Sequence, residues 1–242
     1  MRYYIAFDDT DTADSDRGTG KLARWFADEL SDDFRLWGVL RQQLPRFADI
    51  PYTSNNSSAC VVVDTEKADA EEALIALAES HIRKHFIEGS DPGLCVAEEE
   101  KARATNLEAF GRECCVRRVA QKEAMAAAGP IHLSGHGGTN DGIIGAAAAV
   151  GLTRYGWSGR FVAFGAIREL PDSVPVGLLE ENGIRVLSTE RDALLPALTD
   201  LVETQGWLRP RLWGGRPVLP VERTSRDRWL ASGIKRPGRP GD

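Results

Sequence analysis

A chain of 242 residues with 42% hydrophobic content can bury a sizeable core, as one large domain or two smaller lobes, and its composition does not read as disordered. The longest apolar stretch, Ile143 to Leu152, is too short to span a bilayer, and an acidic cluster stands near the amino terminus where a signal peptide needs its apolar core, so the expectation is a cytoplasmic protein with no membrane partner. The net charge of −6 is unevenly spread: from Arg209 onward nine Arg or Lys face only Glu222, Asp227 and Asp242, which leaves about −12 on the first 208 residues. An acidic body repels polyanions, so any RNA contact would fall to the basic tail; Pro237, Gly238, Pro240 and Gly241 there also suit a merely soluble terminus.

The first predicted element is a strand from Arg2 to Phe7, followed by a helix over Gly18 to Leu30 with Leu22, Trp25, Phe26 and Leu30 on its apolar face. Arg35 to Gln42 and Ala59 to Val63 read as strands on either side of a polar loop, Pro45 to Ser58. Lys67 to Phe86 is a predicted helix with Leu74, Leu77, Ala78 and Ile82 inward, and Gly93 to Ala97 a short strand. This order, βαββαβ, matches the ferredoxin-like pattern. The second half opens with an Ala-rich helix over Arg112 to Ala128, stopped by Gly129 and Pro130, then a strand Ile131 to Leu133, a glycine loop, and a small-residue helix Ile143 to Val150. The expected architecture is therefore α+β: a ferredoxin-like Asp-rich lobe (1–98), a glycine-loop α/β lobe (99–190), a nucleotide site between them, and a carboxyl-terminal extension (191–242) carrying the basic tail. Cys60, Cys95, Cys114 and Cys115 form no C-x-x-C pair and read as reduced, mostly buried thiols.

Three strings carry chemistry. Asp8, Asp9 and Asp11 crowd the exit of the first strand, and hard oxygen ligands of this kind suit Mg²⁺ with its waters and substrate phosphates. In a strand, side-chain alternation would put Asp9 and Asp11 on one face and Asp8 on the other unless the chain turns there; the bland alternative is a solvated acidic loop. The second string, Ser134-Gly135-His136-Gly137-Gly138-Thr139-Asn140-Asp141-Gly142, leads from strand to helix, and its glycines and helix-start amides suit an anion such as phosphate. It fits neither standard phosphate-binding fingerprint, and Asn140 or Asp141 simply capping the helix explains it as well. His136 either lies beside a nucleotide or serves as a hydrogen-bonding partner. The third string, Arg17-Gly18-Thr19-Gly20-Lys21, is not a P-loop, because Ser15 stands where the leading glycine belongs. A helix start with Gly18, Gly20, a hydroxyl and an ammonium still suits a phosphate, although Lys21 on an exposed helix face fits equally.

The order of D-D-T-D near the amino terminus, a glycine-led helix start, Ile50-Pro51-Tyr52-Thr53, Asp91-Pro92-Gly93 before a strand, and a glycine loop running into Gly142-Ile143-Ile144-Gly145-Ala146-Ala147 resembles the archaeal agmatidine synthetase family that acts on a minor isoleucine tRNA. The resemblance spans roughly Tyr3 to Leu187. It implies a kinase-like region that binds ATP and Mg²⁺, with the metal-binding carboxylates on Asp8, Asp9 and Asp11 and the nucleotide segment on Gly137 to Gly142. The chain also departs from the family. Where the family follows its aspartates with a glycine and then Met-Cys-Thr-Thr, one threonine of which takes phosphate, alignment on Gly18 places Lys21 and Leu22 at the paired threonines, leaving Thr19 as the nearby hydroxyl. Thr53-Ser54-Asn55-Asn56-Ser57-Ser58 stands where the family has Thr-Arg-Gly-Asn-Gly, and the family's oligonucleotide-binding fold and zinc ribbon have no counterpart in length or cysteines. The expectation is a short standalone relative acting on something smaller than tRNA.

The resulting reading is an ATP- and Mg²⁺-dependent phosphotransferase or nucleotide-cleaving enzyme acting on a small-molecule or nucleic-acid acceptor, with Asp9, Lys21 and Thr19 as the catalytic candidates. A variant, in which Asp9-Thr10-Asp11 is the D-x-D of a haloacid-dehalogenase-type phosphatase, needs a later lysine and acidic pair that do not follow in order. A nucleotide-binding module without turnover is the alternative from another class, favoured by Lys21 at the family threonine. A third places RNA on the basic tail, with Trp207, Trp213 and Trp229 interleaved among arginines as stacking platforms; tryptophans packing the segment onto the body explain the same residues.

Overall fold

The computed structural model describes residues 1–48, 50, 52, 55–192 and 194–232. Pro51, Thr53 and Ser54, and the tail from 233 onward with its prolines and last three cations, lie outside the described residues.

Strand β1 (Arg2–Asp8) leads to helix α1 (Thr19–Asp28), strands β2 (Arg35–Gln43) and β3 (Ser57–Asp64), helix α2 (Ala70–His85) and strand β4 (Gly93–Glu98). These strands lie in the order β4-β1-β3-β2, every neighbour antiparallel, which is the βαββαβ arrangement expected from the sequence. Helices α3 (Glu99–Arg103), α4 (Leu107–Cys114) and α5 (Gln121–Ala128) come next, then strand β5 (His132–Gly135) and helix α6 (Gly142–Tyr155). Strands β6 (Arg160–Ala163) and β7 (Ser173–Pro175), helix α7 (Val176–Glu181), and strands β8 (Arg185–Ser188), β9 (Leu201–Glu203), β10 (Arg211–Trp213), β11 (Arg216–Ser225) and β12 (Arg228–Ala231) complete the described chain. The fold is α+β: a single sheet in the order β5-β4-β1-β3-β2-β6-β10-β11-β12-β9-β7, with β8 beside β11. It is antiparallel apart from the β8–β11 and β9–β12 pairs.

Alternation along β1 builds the core. Tyr3, Ile5 and Phe7 face α1 and α2, where they meet Leu22, Phe26, Val61, Val63, Leu74 and Ile82. Tyr4 and Ala6 face the other side, with Cys60, Val62, Cys95 and Ala97, and the alanines of α6 pack there. Small side chains on both partners let α6 lie close over the sheet. Burial of Ile143, Val150 and Leu152 on this helix contributes roughly 1.5–3 kcal/mol each.

Three sequence expectations need correction. The single helix expected over Arg112 to Ala128 is two, α4 and α5, broken at Val116–Ala120. The break forms because Glu123 reaches back to the Ala120 amide at 2.8 Å, half of a capping box, and Arg117 pairs with both Glu113 and Glu123 across it. On α1, Trp25 is only half-buried and faces Arg17, Lys21 and His85 rather than the core. On α2, Leu77 is exposed at 42%; Leu74, Ala78, His81 and Ile82 share the inward stripe, so the buried place expected for Leu77 goes to a histidine.

Candidate functional site

The strand geometry of β1 ends at Asp8, and Asp9 takes a positive φ of 49°. The turn cancels the alternation that would have split the aspartates, and Asp8, Asp9 and Asp11 all line one cavity of about 770 Å³. Asp8 reaches it from the α6 face of the sheet. Its carboxylate occupies the space that a Cβ on Gly145 would need, so the glycine in the first turn of α6 is what admits it. Asp11 accepts hydrogen bonds at Oδ1 from the Thr19 amide (3.1 Å) and hydroxyl (3.2 Å), which caps α1 from eight residues upstream. Thr10 in turn donates to Thr19 Oγ1 at 3.2 Å.

A second segment locks the acidic corner to the glycine loop. The Asp91 amide donates to the Asp9 carbonyl at 3.1 Å. The Asp91 carboxylate accepts from the amides of Thr139 (3.0 Å), Asn140 (2.7 Å) and Asp141 (3.1 Å) and from the Thr139 hydroxyl. Three amides of the loop are thereby taken by a protein carboxylate. No side chain caps α6; the Ile143 and Ile144 amides of its first turn donate to the Asn140 (3.2 Å) and Asp141 (3.0 Å) carbonyls instead.

The two strings that the sequence singled out therefore meet, but not with every residue. Asp141, Gly142 and Gly145 line the cavity with Thr19 and the three aspartates. Gly135, His136, Gly137, Gly138 and Asn140 do not line it, and neither do Gly18, Gly20 and Lys21. Gly137 and Gly138 lie close against the 90–92 turn. The His136 amide donates to the Pro92 carbonyl at 2.7 Å, and its ring shares the Ser134 hydroxyl with His132 at 2.8 and 2.9 Å. Burial lowers the pKa of both imidazoles. The Lys21 ammonium lies 5.2 Å from the centre of the Trp25 ring.

The opposite wall holds groups that the sequence reading missed. Arg117, Arg118, Gln121 and Lys122, at the α4–α5 break and the start of α5, line the cavity. Gln121 binds the Thr139 carbonyl at 2.8 Å and the Asp141 carboxylate, tying this wall to the glycine loop. Leu44, Pro45, Ile50, Tyr52, Asn55, Asn56 and Ser57 of the β2–β3 connection close a third side. In the sequence these cations fall inside the single helix expected over Arg112 to Ala128. The cue that separates them is Glu123 three residues after Ala120, without the usual hydroxyl partner.

The cavity is electrostatically divided. Burial, then the neighbouring Asp9 and Asp11, pushes the Asp8 carboxyl up to about 8. Burial with Asp91, Asp11 and Asp141 pushes Asp9 up to about 6. Carboxylates that repel one another beside a solvent-filled space are suited to a hard dication, and the cationic wall is suited to an anion.

Elsewhere, Trp229 is buried and donates to Asp200 at 2.8 Å, so it belongs to the core and offers no face to RNA. Trp207 and Trp213 are covered by the guanidinium groups of Arg209 (3.7 Å) and Arg211 (5.2 Å). Cys60, Cys95 and Cys114 are buried, and Cys115 partly so. No helix among the described residues is long and apolar enough to cross a membrane.

No protein-family model matches the sequence, and no curated protein matches it. Solved structures do. The chain is similar to apo TiaS, the agmatidine synthetase of an isoleucine tRNA, at 25% identity and a TM-score of 0.51, over 62% of this chain and 35% of that one. It is similar to TiaS in its complex with that tRNA and ATP at 25% identity and a TM-score of 0.53, over 62% of this chain and 36% of that one. A tRNA fluorescent labeling enzyme matches at 26% identity and a TM-score of 0.51, over 62% and 36%. The chain thus spans about a third of the length of these structures and resembles TiaS in part, as the order of motifs implied.

Proposed function

We propose that this protein binds ATP with Mg²⁺ in the cavity between the Asp8–Asp11 corner and the α4–α5 break, and transfers or cleaves a phosphate-bearing group of the nucleotide. The observation that carries this reading is the convergence of Asp8, Asp9 and Asp11 with Arg117, Arg118 and Lys122 on one cavity of about 770 Å³, a size that suits a nucleotide. The partial resemblance to TiaS, solved with ATP, supports it. Residues 1–98 supply the acidic side, 99–190 the cationic side and α6, and 191–242 an extension.

The donor set fits Mg²⁺: carboxylates only, at one end of the cavity, with room for waters and phosphate oxygens. Such an ion neutralises phosphate charge and orients the group that moves. Asp9 and Asp11 hold it from the turn, and Asp8 from the strand end. Arg117, Arg118 and Lys122 take the charge on the remaining phosphate oxygens, which reduces repulsion of an incoming nucleophile. Ile50, Tyr52 and Leu44 give the base an apolar wall. Asp11 fixes Thr19 through both its amide and its hydroxyl, so the helix start of α1 is held in place beneath the metal corner.

A second reading, nucleotide binding without turnover, is favoured by one observation: the Thr19 hydroxyl already donates to Asp11, and Lys21 lies over Trp25 rather than in the cavity. Incubation with ATP labelled at the α or the γ position separates the two. Release of AMP, ADP or phosphate that needs Mg²⁺ and is lost in Asp9→Asn supports the enzyme. Stoichiometric binding with no product across a panel of amine and hydroxyl acceptors supports the module, and no binding of ATP overturns both.

A further inference from the structure

A second cluster lies between α1 and α2, on residues that do not line the nucleotide cavity. His81 and His85 are one helical turn apart on α2, with ring centres 4.6 Å apart, and Glu29 is the residue that ends α1. One ligand atom from each of the three falls within 4.8 Å of the others. We propose that Glu29, His81 and His85 form a transition-metal site of the type that takes Zn²⁺, joining α1 to α2.

Two features of the histidines point to a cation. The His81 side chain is only 1% exposed, and its Nε2 lies 3.0 Å from the Leu22 carbonyl, which can only accept; Nε2 therefore carries a proton. Its Nδ1 faces Glu29 Oε2 at 2.8 Å. That pair is repulsive unless a second proton or a metal ion stands on Nδ1. A ring nitrogen donating to a backbone carbonyl while the other points at the ligand position is the usual arrangement of a metal-bound histidine. The second feature is His85, whose Nε2 is buried without a hydrogen bond and lies 3.4 Å from Glu29 Oε1. Tetrahedral ligands with bonds of about 2.0–2.1 Å sit about 3.4 Å apart, so the His85–Glu29 separation already suits Zn²⁺. The H-x-x-x-H spacing with one carboxylate leaves a fourth position, and Glu29, whose side chain is 45% exposed, opens it to water.

Two cations adjoin the cluster. Lys84 Nζ pairs with Glu29 Oε1 at 2.9 Å, and its largely exposed side chain is free to swing into solvent when a metal takes the carboxylate. Arg17 donates to the His85 carbonyl and lies over Trp25, clear of the ring nitrogens. The site is placed to steady the segment that joins α2 to β4. This segment binds the Thr10 carbonyl through the Ile87 amide (3.3 Å) and the Asp9 carbonyl through the Asp91 amide (3.1 Å). This inference stands apart from the nucleotide reading.

The test uses the full chain, stripped with chelator and titrated calorimetrically with Zn²⁺ alone, then with Co²⁺ for the visible spectrum of a tetrahedral nitrogen–oxygen site. Beyond any ion taken by the Asp8–Asp11 corner, one Zn²⁺ per chain is expected, with affinity reduced about tenfold or more in His85→Ala and in Glu29→Gln and unchanged in Glu100→Gln, an exposed carboxylate outside both sites. Both variants replace partly exposed side chains, and circular dichroism confirms that they fold; should one not fold, the other decides. No stoichiometric binding overturns the site, as does binding that survives both substitutions.

Discussion

Replacing Asp8 by Asn should make the metal-free protein more stable at neutral pH. Burial and the adjoining Asp9 and Asp11 raise the Asp8 carboxyl from 3.8 to about 8. A carboxyl whose folded pKa lies above its unfolded value favours the fold fully below pH ~4, and that contribution is lost as pH rises toward 8, because the folded form must give up a proton that the unfolded chain has already lost. A rise of one in pKa corresponds to about 1.4 kcal/mol, so a rise of about four sets a ceiling of about 6 kcal/mol; water in the open cavity screens roughly half, leaving about 3 kcal/mol. Asn keeps the shape of the neutral acid against Gly145 and removes the charge. At about 2–4 °C per kcal/mol for a chain of this size, its melting temperature in EDTA at pH 7.5 should exceed wild type by about 6–12 °C. At pH 4.5 the gain should fall to about a third of that or less, since wild-type Asp8 is then largely protonated in the fold. Millimolar Mg²⁺ should narrow the gap at pH 7.5, because wild type gains a ligand and the variant loses one. Scanning calorimetry at the two pH values checks this. An unchanged or lower melting temperature at pH 7.5, or an equal gain at both, would refute the placement of Asp8 among unneutralised carboxylates.

Other consequences are independent of that one. Gly145→Ala puts a methyl where the Asp8 carboxylate lies, and Mg²⁺-dependent nucleotide binding should weaken about tenfold or more by fluorescence titration while the far-ultraviolet spectrum stays native. Arg117→Ala and Lys122→Ala should each weaken ATP binding several-fold, and adenosine binding hardly at all, in equilibrium dialysis. Mg²⁺ affinity should rise with pH, by about two logarithmic units per pH unit between pH 4 and 6 and one between pH 6 and 8, as Asp9 and then Asp8 release protons; a flat profile would remove both from the ligand set. Trp229→Ala should cost about 3–5 kcal/mol in denaturant unfolding, because the buried ring would leave a cavity beside Asp200.

How far the site could be read from the chain depended on the range of the forces involved. The βαββαβ order was legible, since periods of two and near four are local properties of β1, α1 and α2. So was the acidic corner, because three carboxylates in four positions are unusual in any local setting. The turn at Asp9 was not: its positive φ is held by Asp91, eighty-two positions away, through a backbone hydrogen bond that no local rule signals. The cationic wall was hidden for a similar reason. Arg117 and Arg118 sit in a stretch with no Gly or Pro to mark a stop, and the helix breaks there because Glu123 and Arg117 satisfy the exposed ends. His81 was overlooked because its burial depends on the Leu22 carbonyl of another helix. Glycines 137 and 138 lie against the chain's own 90–92 turn, a close approach from a distant segment that no local pattern signals.

The central claim is that one divided cavity takes a magnesium-bound triphosphate. Calorimetric titration with a non-hydrolysable ATP analogue tests it most directly, run with and without Mg²⁺ on wild type, Asp9→Asn and Arg117→Ala. One site per chain is predicted, requiring Mg²⁺ and weakened by either substitution. Binding that ignores the metal and both substitutions would contradict it, as would no binding at all.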